Sequence, residues 1–491
     1  MVTCLPKGDK PREYLKNWRP ISLLSVIYKL ASATIANRIK RVLDKIIANT
    51  QTGFIPGRYI GESTRLVYDL MHTTEKYNLE GLLMLIDFEK AFDSISWKFM
   101  YNVFAYFGFP SDIINWMKLF NNKYESAVTQ CGILSHFFQL QRGCKQGDPL
   151  ACYQFIICGE ILSILIKTNT LIKGIIIGET EYKLTQFADD TTLFLNGSRE
   201  SLLAALNTLE IFGSFSGLKM NTEKTKVVWL GRKKHSKDKI ISNIDLEWGC
   251  KRFTLLGLEY SVDLLEMDTL NFNKSLNKCK HVLDAWQKRY LTPFGKITIV
   301  KTFILSLFTH MFISLPSPSK TFISSLKNIL FDFIWDKKPD KISREQLTQN
   351  YFKGGLKMVN IDNFNTALKT TWLRKIICGK TSLWLQLLCN EIPNLQYGLT
   401  VYGPLWCLNL KSKLSNPFWI DVLEAWYKVT NATEFRTSAD IYTAPLWFNS
   451  KVMHRSWFFH KWCQNGIRYV NDLLDSNVNG SNICYIQNKE Y

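Results

Sequence analysis

The chain has 491 residues, 46% of them hydrophobic and 13% aromatic, and sets 61 Lys+Arg against 42 Asp+Glu for a net charge of +19. So much apolar material needs a core, which excludes a disordered or fibrous chain, and the length fits roughly two to four domains of about 150 residues. The surplus of positive charge points to a polyanionic partner, nucleic acid or an anionic membrane, without choosing between them.

Residues 1–60 are basic, with Lys7, Lys10, Arg12, Lys16 and Arg19 ahead of any long apolar run, and the first twenty lack the apolar core of a signal peptide. Ile27, Ala31, Ile35, Ile39, Leu43 and Ile46 recur at spacings of three and four, which predicts an amphipathic helix with Arg38, Lys40, Arg41 and Lys45 on its solvated face. Leu82-Leu83-Met84-Leu85-Ile86 is an unbroken apolar run ending in Asp87, the pattern of a strand buried on both faces. Phe155, Cys158, Leu162 and Leu165 predict a helix. Tyr182-Lys183-Leu184-Thr185 and Thr191-Thr192-Leu193-Phe194-Leu195 predict a hairpin around Asp189-Asp190.

Beyond about residue 265 the pattern is nearly all helical. Three stripes stand out: Phe272, Leu276, Cys279, Leu283 and Trp286; Val300, Phe303, Ile304 and Leu307; and Phe322, Leu326, Ile329, Leu330 and Phe333. Three such helices can close on one core. Ile299–Leu315 is apolar enough to raise the question of a membrane span, but it holds Lys301 and His310 and ends at Pro316, so a buried helix is expected. The last stretch is rich in tryptophan (Trp372, Trp384, Trp406, Trp419, Trp426, Trp447, Trp457, Trp462), expected as core rather than as a base-stacking platform. Twelve scattered cysteines without a C-x-x-C pair, Cys484 the last, fit neither a metal knuckle nor a disulfide framework. They are read as reduced thiols of an intracellular protein.

Three carboxylates carry the chemistry. Turns favour Asp, so Asp189-Asp190 alone is also compatible with a structural turn. Asp87 follows five apolar residues, where an unpaired carboxylate is costly. If the two strands lie side by side, the three carboxylates converge, repel one another and need a cation. Hard oxygen donors without His or Cys suit Mg²⁺, and two such ions can activate a hydroxyl and stabilise a leaving pyrophosphate, the chemistry of a polymerase.

These residues resemble a known family. Leu85-Ile86-Asp87-Phe88-Glu89-Lys90-Ala91-Phe92-Asp93, Gln146-Gly147-Asp148-Pro149-Leu150, Phe187-Ala188-Asp189-Asp190, Ser216-Gly217-Leu218-Lys219-Met220-Asn221-Thr222-Glu223-Lys224-Thr225 and Leu255-Leu256-Gly257 are similar, in this order, to motifs A to E of reverse transcriptases. Trp18-Arg19-Pro20-Ile21-Ser22-Leu23 and Gln51-Thr52-Gly53-Phe54-Ile55-Pro56-Gly57-Arg58 resemble finger motifs of the non-LTR (LINE-type) retrotransposon branch. The likeness is close over about residues 5 to 260. It continues more loosely through Trp335 and Gly354-Gly355-Leu356 to Asn365-Thr366-Ala367-Leu368.

The resemblance implies an α+β right-hand polymerase: fingers and a palm with an antiparallel sheet over 1–265, a helical thumb over 266–345, and a mainly helical region of unknown role over 346–491. It implies an RNA-directed DNA polymerase working on an RNA template, a DNA primer and target, and dNTPs, with two Mg²⁺ ions held by Asp87, Asp189 and Asp190. Phe88 would lend its backbone to the triphosphate, and Phe92 would be the steric gate against a 2′-hydroxyl. Gln146 and Gly147 would contact nucleotide and template. Arg19 would bind the triphosphate, with Lys7 and Arg58 as further candidates. Lys219 or Lys224 would assist the leaving pyrophosphate. Arg232-Lys233-Lys234-His235, with Lys237 and Lys239, would lie near the duplex or in a solvated loop.

Two departures stand out. Ala151-Cys152 follows Leu150 where the family has Ser-Pro, and the chain starts almost on its first motif, where family members commonly carry an endonuclease upstream. The expectation is therefore the polymerase part of a longer protein, intracellular, nuclear or cytoplasmic, and not membrane-bound. The competing readings are a catalytically silent nucleic-acid-binding relic and an RNA-dependent RNA polymerase.

Overall fold

The structure, a computed structural model, describes residues 1–8, 10–122, 125–379, 382–452 and 458–473, so Trp457 and Cys484 lie outside the described residues. The chain divides into two compact units, Met1–Gly257 with Ser382–Trp384, and Leu258–Thr381 with Leu385–Tyr491.

The first unit is built on a five-stranded sheet whose central strand is Glu80–Ile86. Asp190–Leu195 pairs antiparallel on one side of it, opposing Thr191 to Ile86, and Lys226–Gly231 on the other, opposing Lys226 to Leu85. Leu184–Phe187 and Glu247–Trp248 are the outer strands. The apolar run is unbroken because both faces are covered: Leu82, Leu83 and Met84 are 0% exposed. Successive side chains alternate between faces. Leu82, Met84 and Ile86 join a core with Phe155, Ile157 and Leu162 of the helix Ala151–Thr168 and Leu202, Leu206 and Phe212 of the helix Arg199–Ser216. Leu83 and Leu85 face the other way, and on the flanking strands packs the long helix Ile60–Lys76.

A second sheet, separate from the first, pairs Val2–Pro6 antiparallel with Trp18–Ser22, and Val128–Gln130 joins it in parallel. The amphipathic helix predicted from Ile27 to Ile46 runs over Val26–Lys40, and Leu43–Ile46 forms a separate turn. Ile35, Ala36 and Ile39 are buried as the period requires, but Ile27 is 82% and Leu30 65% exposed. The apolar stripe continues into a turn of helix that no other part of the described residues covers. The hairpin around Asp189-Asp190 begins at Leu184, because Thr180–Tyr182 pairs back on Ile175–Ile177 instead. Leu256 and Gly257, both at positive φ, form a tight turn in the family-like Leu-Leu-Gly segment.

In the second unit, Glu266–Gln287, Leu305–Ser314 and Lys320–Ile334 share a core in which Phe272 lies 5.9 Å from Phe312 and 5.2 Å from Phe322, ring to ring. The stripe predicted at Val300, Phe303, Ile304 and Leu307 is displaced. Val300–Ile304 is a π-helical turn, whose extra residue rotates the buried face to Ile304, Leu305 and Phe308 and leaves Phe303 44% exposed. Trp372 is fully buried edge-on to Phe418 and Trp419, and its Nε1 donates to Ile313 O at 2.7 Å. Trp447 is likewise core. Two helical runs, Ala151–Thr168 and Pro293–Ser314, are long and apolar enough to cross a membrane, with 61% and 50% of their windows buried within the protein. Among the described residues every cysteine is a free thiol.

The central strand carries the first unit, so Leu83→Ala is expected to lower unfolding free energy by about 2–5 kcal/mol. Denaturant titration of the whole chain checks this.

Candidate active site

All three carboxylates sit at one end of the central sheet. Asp87 follows the last residue of the middle strand, and the antiparallel register puts Asp190 beside it on the neighbouring strand. The chain after Asp87 is held by the segment Lys219–Asn221. Asn221 N donates to Asp87 O at 2.7 Å and Glu89 N donates to Lys219 O at 2.9 Å. These two bonds flank the bridge between Phe88 and Met220, so the Phe88 N–H faces the opposite side and has no hydrogen-bond partner among the described residues. The side chain of Asp87 makes a 3.2 Å ion pair with Lys224. Both partners are largely exposed, so the pair stabilises the fold by at most about 1 kcal/mol and is readily displaced.

Asp189 follows Ala188, a residue in the left-handed region at φ 55. The turn is tied to a segment far away in sequence. Gln51, only 1% exposed, accepts from Ala188 N at 2.9 Å and Gly53 N at 2.8 Å through Oε1, and donates to Ala188 O at 3.3 Å through Nε2. In the sequence Gln51 stands out only as the first residue of a motif like those of the fingers. A single Gln in a sequence does not reveal a contact 137 positions away. Burial raises the Asp189 pKa, with Asp87 adding to the rise and Arg19 opposing it. Burial, then Asp189 and Asp87, push Asp190 up to about 6. Protein atoms crowd its carboxyl even though the residue retains contact with water.

A second network fixes Gln146 and Gly147. Asp148 is buried, accepts from Tyr28 Oη at 2.8 Å and from Ser32 Oγ, and receives Leu150 N at 3.0 Å as it starts the helix Ala151–Thr168. Lys145 donates to Tyr28 Oη at 3.1 Å and Phe120 O at 2.6 Å, and burial brings its pKa down to about 8. The segment is thereby bound to the helix Val26–Lys40. Gly147, at φ 107, passes so close to Ser22 O that a Cβ would lie 3.1 Å from it. The Gln146 amide donates to Asp93 at 3.2 Å, so its side chain is held within the protein by a carboxylate whose role the motif does not announce. Phe92 stacks on Phe155 with ring centres 4.4 Å apart and is half-buried.

The cations divide into two sets. Lys7, at the end of the hairpin with Arg19, has a lowered pKa from partial burial and from Lys224, Arg19 and Lys10, while Asp87 opposes the shift. Lys7, Arg19 and Lys224 thus share the field around the carboxylates, whereas Lys219 is exposed and engaged there through its backbone. Arg58 points inward: it donates to Ile47 O at 3.1 Å, to Gln51 O at 2.8 Å and to Ala48 O. Those bonds use its fork on the protein's own carbonyls. Arg232 and Lys233 pair with Glu80 at 2.8 and 2.5 Å, and Lys234 with Glu75 at 2.5 Å.

Three oxygen-donor carboxylates gathered at one sheet end, two of them (Asp189 and Asp190) with pKa values raised by burial first and by acidic neighbours second, suit a hard divalent cation. Among the described residues no three His, Cys, Asp or Glu side chains enclose an ion, and Asp87 is turned to Lys224.

Residues 5–260 match the family model described as reverse transcriptase (RNA-dependent DNA polymerase). The chain is 25% identical to the transposon TX1 uncharacterized 149 kDa protein of Xenopus laevis over 97% of its own length and 37% of that protein. It is 29% identical to the retrovirus-related Pol polyprotein from type-2 retrotransposable element R2DM of Drosophila melanogaster, over 43% of the chain and 19% of that protein. It therefore spans between a fifth and two fifths of the length of these relatives. Telomerase from Candida tropicalis with a fragment of telomeric RNA aligns over 82% of this chain and 57% of its own at 12% identity and a TM-score of 0.39.

Because the folded pKa of Asp190, about 6, lies above its ordinary 3.8, its contribution to stability is complete below the lower value and lost as pH rises through the upper one. Metal-free Asp190→Asn is expected to melt slightly higher than the parent near about pH 7, the difference shrinking toward about pH 5. Paired melting curves across that range test the sign, and a gap that widens on acidification contradicts it.

Proposed function

The chain belongs to the reverse transcriptase family, in its non-LTR retrotransposon branch, and on that premise we propose that it extends a DNA primer on an RNA template with dNTPs. The observation that carries this reading is the register that sets Asp87 beside Asp190 at the end of a fully buried strand, with Asp189 on the same turn.

Asp87, Asp189 and Asp190 would hold two Mg²⁺ ions, which when bound supply activation of the primer hydroxyl and stabilisation of the leaving pyrophosphate. The chain's own groups do the rest. Arg19, with Lys7 beside it, faces the triphosphate, and the Phe88 N–H offers it a donor. Lys224 stands nearer than Lys219 to the pyrophosphate side, since its ammonium already neutralises Asp87. Phe92, stiffened by Phe155, closes the space a 2′-hydroxyl would need. Gln146, aimed by Asp93, and Gly147, pressed to Ser22, shape the floor under the incoming base pair. We assign residues 266–345 to a thumb that grips the RNA–DNA duplex. An intracellular setting, nuclear or cytoplasmic, accompanies the free thiols, and nucleic acid rather than a membrane is the polyanion that the net charge serves. The presence of Asp87, Phe92, Asp189 and Asp190 together disfavours a silent relic.

Primer extension on poly(rA)/oligo(dT) with Mg²⁺ tests the reading: the chain incorporates dTMP, and Asp189→Ala lowers the rate by at least about 10²-fold. No incorporation by the parent, or none lost in the variant, overturns it. Phe92→Val is expected to raise incorporation of rNTP relative to dNTP in the same assay, and unchanged discrimination removes Phe92 from the gate.

A further inference from the structure

Gln51 lies on no strand of the catalytic sheet and bears no charge, yet it is as buried as the core of that sheet. Its amide meets both polar groups of the single residue before Asp189: Oε1 takes the Ala188 N–H and Nε2 gives to the Ala188 carbonyl. Ala188 needs that support, since an alanine at φ 55 is in a region that L-residues avoid. The main chain on either side is pinned as well. Thr52 N donates to Gln186 O at 2.9 Å and Gln186 N to Thr50 O at 2.8 Å, a parallel bridge on the outer edge of the hairpin. Gly53 comes so near that a Cβ on it would lie 2.6 Å from Ala188 N, a distance no real side chain shows. Arg58 locks the segment from behind through Ile47, Ala48 and Gln51 carbonyls.

We propose that Gln51 is a positioning residue for the reaction: its side-chain amide, with the close approach of Gly53, sets the position of the Asp189–Asp190 turn against Asp87. Like charges at the sheet end push the turn outward, and its flanking residues, Ala188 above all, favour a different backbone conformation. The amide opposes both, because it can bond Ala188 only in the observed conformation. The carboxylates are then already placed when a divalent cation arrives, and no ordering cost falls on the chemical step. This inference rests on the polymerase reading.

The test compares the parent chain with Gln51→Met, which keeps volume and removes both hydrogen-bonding atoms, and Gly53→Ala, which keeps Gln51 and forces the turn away. Three quantities are read: the rate of the first dTMP addition, Mn²⁺ affinity by electron paramagnetic resonance without nucleotide, and melting temperature without metal. Both variants are expected to lose about 10–100-fold in kcat and several-fold in Mn²⁺ affinity, with primer–template KM nearly unchanged and metal-free melting lowered by only a few degrees. The proposal is overturned if either variant keeps kcat and Mn²⁺ affinity within about twofold of the parent. It is equally overturned if the losses come with a matching fall in melting temperature and in primer–template binding, which would mark a merely structural residue. If Gln51→Met is recovered only as aggregate, Gly53→Ala alone decides. A parent chain that adds no dTMP defeats the polymerase reading itself, whereas an active parent with unaffected variants defeats only the role of Gln51.

Discussion

The gathering of Asp87, Asp189 and Asp190 at the end of one buried strand is the constraint around which the first unit is arranged. A strand with Leu82, Leu83 and Met84 fully buried provides a rigid base that partly desolvates the carboxyls at its end, although Asp87 and Asp190 keep contact with water. The cost shows in the raised pKa of Asp189 and Asp190. Left alone, such a cluster relaxes by turning side chains outward or by bending the loops that carry them. Asp87 illustrates the first response, paired with Lys224 at the surface. The second is prevented by contacts that arrive from distant parts of the sequence.

Those contacts have a common form. Two of the site segments, the Asp189–Asp190 turn and the stretch from Gln146 to Asp148, are tied through backbone or buried polar groups to elements that precede the central strand, whereas the chain after Asp87 is held by Lys219–Asn221. Gln51 and Gly53 hold the Asp189–Asp190 turn, Tyr28 and Ser32 hold Asp148, and Ser22 N donates to Gln146 O. Buried polar groups are costly when unpaired, so a network in which each is satisfied admits few alternative arrangements. Lys145 is part of it: a buried ammonium with a pKa near 8 is tolerated because Phe120 O and Tyr28 Oη accept from it. The basic segment 1–60 thus has two uses. Arg19 and Lys7 offer charge toward the carboxylates, while Arg58 spends its fork on carbonyls that order the Gln51 segment.

How much was legible depended on whether the signal was local. The apolar run to Asp87 and the helix around Phe155 follow from periodicity alone, because a strand buried on both faces and a core helix each leave a distinctive pattern within a few residues. The stripe at Val300 misled, since one π-turn rotates every later side chain without changing composition. The stripe from Ile27 over-reached, since periodicity records which face is apolar and not whether anything covers it. In the second unit the tryptophans were readable as core by number, but the edge-on contacts of Trp372 with Phe418 and Trp419 came from packing.

For the site, the amino-acid order by itself nominated the candidate side chains, the carboxylates from their local setting and Phe92 and Gln146-Gly147 through their resemblance to family motifs. Carboxylates at a strand end and in a two-residue turn, an aromatic five residues after the first, and a Gln-Gly pair are all short-range patterns. Only the tertiary structure decided which cation meets which carboxylate, that Arg58 turns inward, that Asp93 aims Gln146, and that Gln51 supports Ala188. Hydrogen bonds and ion pairs act over about 3 Å, and residues more than a hundred positions apart come within that range only once the sheet register and helix packing have brought them there.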